Sequence, residues 1–188
     1  MLLLLEHYNP QWKTNFEQLQ QTLLQLLDGL PVTIEHVGST SIPGMYAKPI
    51  LDIDIILHQK EFLTTVSTRL QQAGYRSKGE QGIAERFAFA QTNAFTPANG
   101  LNKRWQEHHL YVCFSGSLAL KNHLLFRNTL LQQPELATRY VELKKELANE
   151  PGMTRVIYNQ RKTEFILSVL ALNGFTKEEL LEIKRANE

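Results

Sequence analysis

Two aspartates, Asp52 and Asp54, stand inside the apolar run "ILDIDIIL". Side chains alternate along a strand, so Asp52, Asp54 and Ile56 share one face while Ile53, Ile55 and Leu57 share the other. The second set is wholly apolar and must face a core. That leaves both carboxylates on a face open to a cleft, close together and mutually repelling. Burying a carboxylate without compensation costs several kcal/mol. Hard divalent cations are bound by oxygen, and Mg²⁺ takes one or two carboxylates together with phosphate oxygens and water, so the pair reads as a site for Mg²⁺ or Mn²⁺. A dozen residues upstream another apolar stretch ends in Gly38-Ser39-Thr40. Small residues there offer hydroxyls and backbone N–H groups, the makings of a phosphate cradle. A solvated carboxylate pair and a plain strand-ending turn are the alternatives when each motif is taken alone.

Other candidates surround this pair of motifs. Lys48 precedes Pro49 just ahead of the aspartate strand, where its charge suits a triphosphate. Arg86 alternates with Ala88 and Ala90 and is expected to point into the same cleft, toward a phosphate or one of the aspartates. His109, sharing a face with Tyr111 and Cys113, is a candidate general base because imidazole titrates near neutral pH; the alternative is a histidine hydrogen-bonded within the sheet. His36 reads as a half-buried core histidine. His108 and His123 are expected to face solvent, and Arg127, Lys144 and Lys162 to be surface or ion-pairing residues. Cys113, the single cysteine, excludes an intrachain disulfide and reads as an inert, partly buried thiol.

The elements that must position these groups are legible from periodicity. Apolar residues at three- and four-residue steps predict a helix over 12–27, stopped at Gly29, and a second over 60–73, closed by Gly74. Strands are predicted over 32–37, 50–57, 85–90 and 109–114, and 2–5 reads as a short strand or hydrophobic arm. The last two long strands are joined by a polar loop of about 18 residues, long enough to be expected to cover a site. The final third is helical. Ser117 caps one helix, Pro134 opens the next, a third spans 154–173, and "TKEE" from Thr176 is a capping box for a last one. Neither repeat nor linker divides the chain, so 1–188 reads as one α/β domain with a helical C-terminal layer.

With 188 residues, 43% of them hydrophobic and 21% charged, the chain has the composition of an ordinary globular domain. A net charge of +1, with basic residues scattered, argues against a nucleic-acid binder. The four leucines at the start lack a basic flank and are too few for a secretory signal, and no stretch approaches a membrane span. A cytoplasmic protein without membrane contact is the expectation; its oligomeric state is not legible.

The stretch "VGSTSIPGMYAKPILDIDIIL" resembles the signature of the nucleotidyltransferase fold, Gly-Ser followed by a strand carrying Asp-hydrophobic-Asp. More narrowly it is similar to the GrpB-like family, also called UPF0157, with its "GSTS-x-PG…AKP-x-x-D" hallmark. The likeness extends through "YNPQW", "HHLYV", "LLFRNTLLQQPELATRYVELKKELA" and "YNQRKTEFI", about residues 6–172. It implies a mixed α/β (α+β) sheet with flanking helices. It also implies a Mg²⁺-dependent transfer of a nucleoside monophosphate from a nucleoside triphosphate to a small-molecule acceptor. Asp52 and Asp54 would hold metal, Gly38, Ser39 and Thr40 would cradle phosphates, Lys48 and Arg86 would contact the nucleotide, and His109 would be the base. Nucleotidyltransferases generally carry a third carboxylate on a later strand, which here shows His109 and Tyr111 and no acid; Glu107 precedes that strand and Glu85 lies in the neighbouring one, and neither is assigned to the site. Asn128 stands where the family usually has Asp. A nucleotide- or phosphometabolite-binding module without chemistry is the second reading.

Overall fold

The computed structural model describes residues 5–100 and 102–186. Helix α1 (Gln11–Leu26) buries Trp12, Phe16, Leu19 and Leu23, the stripe its periodicity predicts. The chain then runs through β2 (Val32–Val37), a 3₁₀ turn at Ser39–Ser41, the two-residue β3 (Tyr46–Ala47) and β4 (Leu51–Leu57). β3 pairs with an equally short β1 (Glu6–His7) to make a small separate ladder. After α2 (Leu63–Gln72) come β5 (Tyr75–Gly79), β6 (Arg86–Gln91) and β7 (His108–Phe114). Four helices complete the described chain: α3 (Leu118–Gln132), α4 (Pro134–Asn149), α5 (Arg155–Leu172) and α6 (Lys177–Ala186).

The main sheet has the order β2-β4-β7-β6-β5. Only β4 and β7 are parallel; the other neighbours are antiparallel, so the sheet is mixed as expected. One face carries Ile53, Ile55, Leu57, Leu110 and Val112 against α1 and α2, forming the main core. The opposite face carries the aspartates. There α3 covers one end, packing Leu120 and Leu124 on Ile56 and Cys113. Helices α4 and α5 lean over the β2 edge through a second cluster around Ile42, Met45, Tyr140 and Phe165.

Local chemistry fixes the element ends. The Ser117 hydroxyl accepts from the Leu120 N–H at 3.4 Å, and Thr154 caps α5 through the Ile157 N–H at 3.2 Å. The capping box at Thr176 is formed in both directions with Glu179. The strand at Tyr75–Gly79 carries no alternating signature, because it is the sheet's edge and buries only Tyr75. Of the arm predicted at 2–5, residues 2–4 lie outside the described residues. No helix among the described residues is long and apolar enough to cross a membrane.

Candidate functional site

Register brings the candidates into rows across the open face. Asp52 lies between Val37 and His109, and Asp54 lies between Glu35 and Tyr111. The two carboxylates differ sharply in environment. The Asp52 side chain is 33% exposed and accepts a hydrogen bond from His109 Nδ1 at 2.9 Å. A carboxylate has no proton to give, so the imidazole donates. The Asp54 side chain is 0% exposed, which corrects the expectation that both acids open freely onto the cleft. Its Oδ2 accepts from His123 Nδ1 at 2.7 Å, while its Oδ1 is buried with no hydrogen-bond partner. Each aspartate thus meets a histidine, in place of the bare mutual repulsion inferred from their spacing.

His123 therefore corrects a second expectation: its side chain, 22% exposed, sits on α3 one turn after Leu120 and next to Leu124, turned toward Asp54. Burial by itself lowers its pKa, but the charge of Asp54 and the hydrogen bond to it outweigh that and hold it above the usual histidine value. His108, also expected at the surface, is buried and bonded to the Tyr75 hydroxyl at 2.6 Å, and burial pushes its pKa down to about 4. His36 is the core histidine expected. Its ring stacks on Phe16 with centroids 4.6 Å apart, its Nε2 meets Thr40 Oγ1 at 3.0 Å, and burial lowers its pKa to about 4.

Gly38 has φ of 70°, in the left-handed region that favours glycine. A Cβ there would lie 2.2 Å from Asp52 Oδ2, so only glycine lets the turn approach the carboxylate this closely. The next residue, Ser39, accepts a hydrogen bond from Lys144 Nζ at 3.1 Å. Thr40 turns its hydroxyl inward to His36, leaving the turn's outer surface to Gly38 and Ser39.

A cleft of about 360 Å³ opens here, lined by Gly38, Ser39 and Thr40, by Lys48, Asp52 and His109, and from the helical layer by His123, Lys144, Tyr158 and Lys162. Lys144 corrects its assignment to the surface. It is 2% exposed, donates to Ser39 Oγ and the Tyr46 carbonyl, and lies 4.6 Å from the centre of the Tyr140 ring. Both hydrogen-bond partners are neutral oxygens. Burial, with the charge of Lys162 nearby, lowers its pKa to about 7. Arg86 stays on the aspartate face but does not line this cleft; its guanidinium lies 4.5 Å from the centre of the Tyr111 ring, with Nε buried and unpartnered. Arg127 is the ion-pairing residue expected, 2.7 Å from both Glu35 Oε2 and the His36 carbonyl. Its Nε also donates to Asn128 Oδ1 at 3.0 Å, so the asparagine still orients the guanidinium.

The sequence over residues 3–171 matches the model for GrpB protein. The chain belongs to the GrpB family. A relative from Bacillus subtilis, UPF0157 protein YqkA, is 36% identical over 159 residues, covering 85% of this chain and 43% of that protein. This chain thus spans less than half of that relative. Glutamate-rich protein GrpB of Alkalihalophilus pseudofirmus is 30% identical over 170 residues, 89% of this chain and 94% of the relative. Among solved structures, GrpB from Enterococcus faecalis superposes with a TM-score of 0.72 at 30% identity, over 98% of this chain and all of the other. The Cid1 poly(U) polymerase, solved with MgGTP bound, superposes with a TM-score of 0.58 at 16% identity, over 86% of this chain and 50% of that one. That likeness shows a nucleotidyltransferase-like fold.

Metal was expected at the aspartate pair. Among the described residues no group of three or more histidine, cysteine, aspartate or glutamate side chains could hold an ion. Two carboxylates on one strand face, one with a buried and unpartnered oxygen, fit an ion that draws its remaining ligands from phosphate and water.

Proposed function

We propose that the cleft binds a nucleoside triphosphate with Mg²⁺ or Mn²⁺ and that the protein transfers the nucleoside monophosphate to a small-molecule acceptor. The observation that carries this reading is Lys144. A lysine taken out of water, whose hydrogen-bond partners among the described residues are neutral oxygens, faces the same cleft as the Gly38-Ser39 turn and Asp52. A phosphate group would complete its charge. The fold shared with Cid1, which has been solved with MgGTP bound, supports the ligand class.

In this reading the β- and γ-phosphates lie against Gly38 and Ser39, with Lys144, Lys162 and Lys48 around them. Asp52 and Asp54 would hold the cation, Asp54 through its unpartnered oxygen. The ion supplies charge neutralisation at the oxygens of the transferring phosphoryl group. The acceptor hydroxyl oxygen bonds to the α-phosphorus, the bond from that phosphorus to the bridging oxygen breaks, and pyrophosphate leaves. The acceptor's proton passes to His109, which Asp52 orients through Nδ1. Arg86, one of the nucleotide contacts inferred from sequence, is left out, since its guanidinium lies on Tyr111 away from the turn. A cytoplasmic setting, supplied with nucleotides and Mg²⁺, suits this chemistry, and neither nucleic acid nor membrane is required as partner.

The test supplies purified protein, Mg²⁺, each of the four common nucleoside triphosphates in turn and a protein-free small-molecule extract as acceptor source, and follows pyrophosphate. Release from one triphosphate, lost in Asp52→Asn, is expected. Release from none of the four, or release unchanged in the variant, would overturn the transfer step. A non-catalytic nucleotide-binding module is the second reading, favoured because Glu35, the carboxylate opposite Asp54, is ion-paired to Arg127, and among the described residues no group of three could hold a metal.

A further inference from the structure

Beyond His109 the same sheet face continues into a second and larger cavity, of about 630 Å³. Its floor is the continuation of the catalytic rows. Ala90 lies opposite His109 on the neighbouring strand, and Ala88 lies opposite Tyr111. On the next strand outward Arg76 lies opposite Ala90, and beyond it β5 is irregular. Ser77 pairs with Phe89 and Gly79 with Ala88, so Lys78 is an extra residue in a bulge, and it lines the cavity. Bulges re-aim side chains in this way. The far wall is formed by residues 92–94 and 104–107, tied down by the Trp105 indole N–H donating to the Pro97 carbonyl at 2.9 Å, and it contributes Thr92, Asn93, Arg104 and Glu107. His109 and Tyr111 line both this cavity and the cleft at Gly38.

Two alanines make a floor that holds a ligand off the sheet without obstructing it. The volume lies in the range of small-molecule sites, about 300–1,000 Å³. Donors and acceptors converge around it, with Lys78 and Arg104 set against the one carboxylate, Glu107. The aromatic rings among its lining are poor platforms for bases: Phe89 and Trp105 are buried at 2% and 8% exposure, and Arg86 occupies a face of Tyr111. A single-stranded nucleic acid would need exposed rings and a track of cations.

We infer that this cavity is the acceptor subsite, and that the acceptor is a small hydroxyl-bearing molecule with one anionic group, a phosphate or a carboxylate, held by Arg104 and Lys78. The assignment rests on the nucleotidyl-transfer reading, since it is the shared wall of His109 that makes the cavity an acceptor site. The acceptor's hydroxyl oxygen gains the α-phosphorus, pyrophosphate departs from the other cleft, and the hydroxyl proton goes to the His109–Asp52 pair, so the transfer balances without a further reactant.

Amide resonances of isotope-labelled protein test it. Glycerol 3-phosphate and glycerate are the anionic probes, glycerol the neutral control, and a non-hydrolysable nucleoside triphosphate with Mg²⁺ reports separately on the cleft at Gly38. The expected result is saturable movement of the Ala88, Ala90, Thr92 and Asn93 amides with at least one anionic probe and none with glycerol. Arg104→Glu, an exposed position, should weaken that response roughly tenfold or more, the loss of a charge-assisted hydrogen bond. No response to either anion, an equal response to glycerol, or an unchanged response in Arg104→Glu would overturn the proposal. So would a short single-stranded RNA that bound through the same amides more tightly than either anion. Triphosphate movement confined to Gly38 and Ser39, with silence at Ala90 for both anions, sinks the subsite and spares the nucleotide reading. The reverse pattern, anions seen at Ala90 and no triphosphate response at Gly38, removes the transfer reading and the acceptor role with it.

Discussion

Lys144 and the Asp54–His123 pair carry opposite electrostatic signs, and each makes a stability prediction. Burial lowers the Lys144 pKa to about 7, so between there and the ordinary lysine range the unfolded chain binds the extra proton. Stability from this residue therefore rises as pH climbs through that window. Lys144→Met should flatten the rise in a series of urea unfolding curves across pH, and an unflattened rise would remove the buried-cation account. The His123 pKa is raised, so the pair contributes stability in full below the unfolded histidine value and loses it as pH rises through the folded one. Asp54→Asn keeps the shape but deletes the counter-charge, and should cost about 1–3 kcal/mol on the acid side, shrinking toward alkaline pH. Two repelling carboxylates would have given the opposite sign, a variant as stable as the parent or more so. Both residues were partly legible. Lys144 falls on the stripe Tyr140, Lys144, Leu147 that faces inward from α4, and His123 stands between Leu120 and Leu124. A polar residue on an apolar stripe is the available signal, but stripe alone does not say whether the charge finds a partner or reaches solvent along its stem.

At the scale of elements, the turn after β2 and the strand β4 form one unit, because Gly38 exists to let Asp52 approach. Gly38→Ala would put a methyl group within 2.2 Å of Asp52 Oδ2 at a φ of 70°. The variant should lose about 1–3 kcal/mol of stability, and nucleotide-dependent stabilisation should fall with it, both readable as melting temperatures with and without a Mg²⁺-triphosphate. A variant as stable and as responsive as the parent would show that the close approach is dispensable. The strands bearing these motifs were legible because alternation is a local property of a half-buried sheet. The edge strand β5 was not, since an edge buries too little to leave a pattern, and the two-residue β1 and β3 are too short to have one. Register was hidden as well. Nothing local says that Asp52 pairs with His109 across parallel strands 57 residues apart, which is what joins imidazole and carboxylate. The long loop expected to cover a site supplies Thr92, Asn93, Arg104, Trp105 and Glu107 to the lining of the larger cavity.

The whole molecule is nearly neutral, with a net charge of +1, so attraction for a polyanionic ligand has to be local. Cationic side chains gather where α4 and α5 lean over the Gly38 turn and bring Lys144 and Lys162 to the cleft. The helical C-terminal layer was expected from periodicity, yet its role as half of the cleft emerges only once the layer is packed on the sheet. If the ligand's phosphates meet Lys144, binding above pH 7 must also restore a proton to it. A calorimetric titration of a non-hydrolysable nucleoside triphosphate with Mg²⁺, on the parent and on Lys144→Met, tests this central claim most directly. The account predicts saturable binding to the parent with proton uptake at mildly alkaline pH, and binding weakened roughly 10- to 100-fold with that uptake abolished in the variant. Equal affinity in both proteins, or no binding of any of the four nucleotides to the parent, would contradict it.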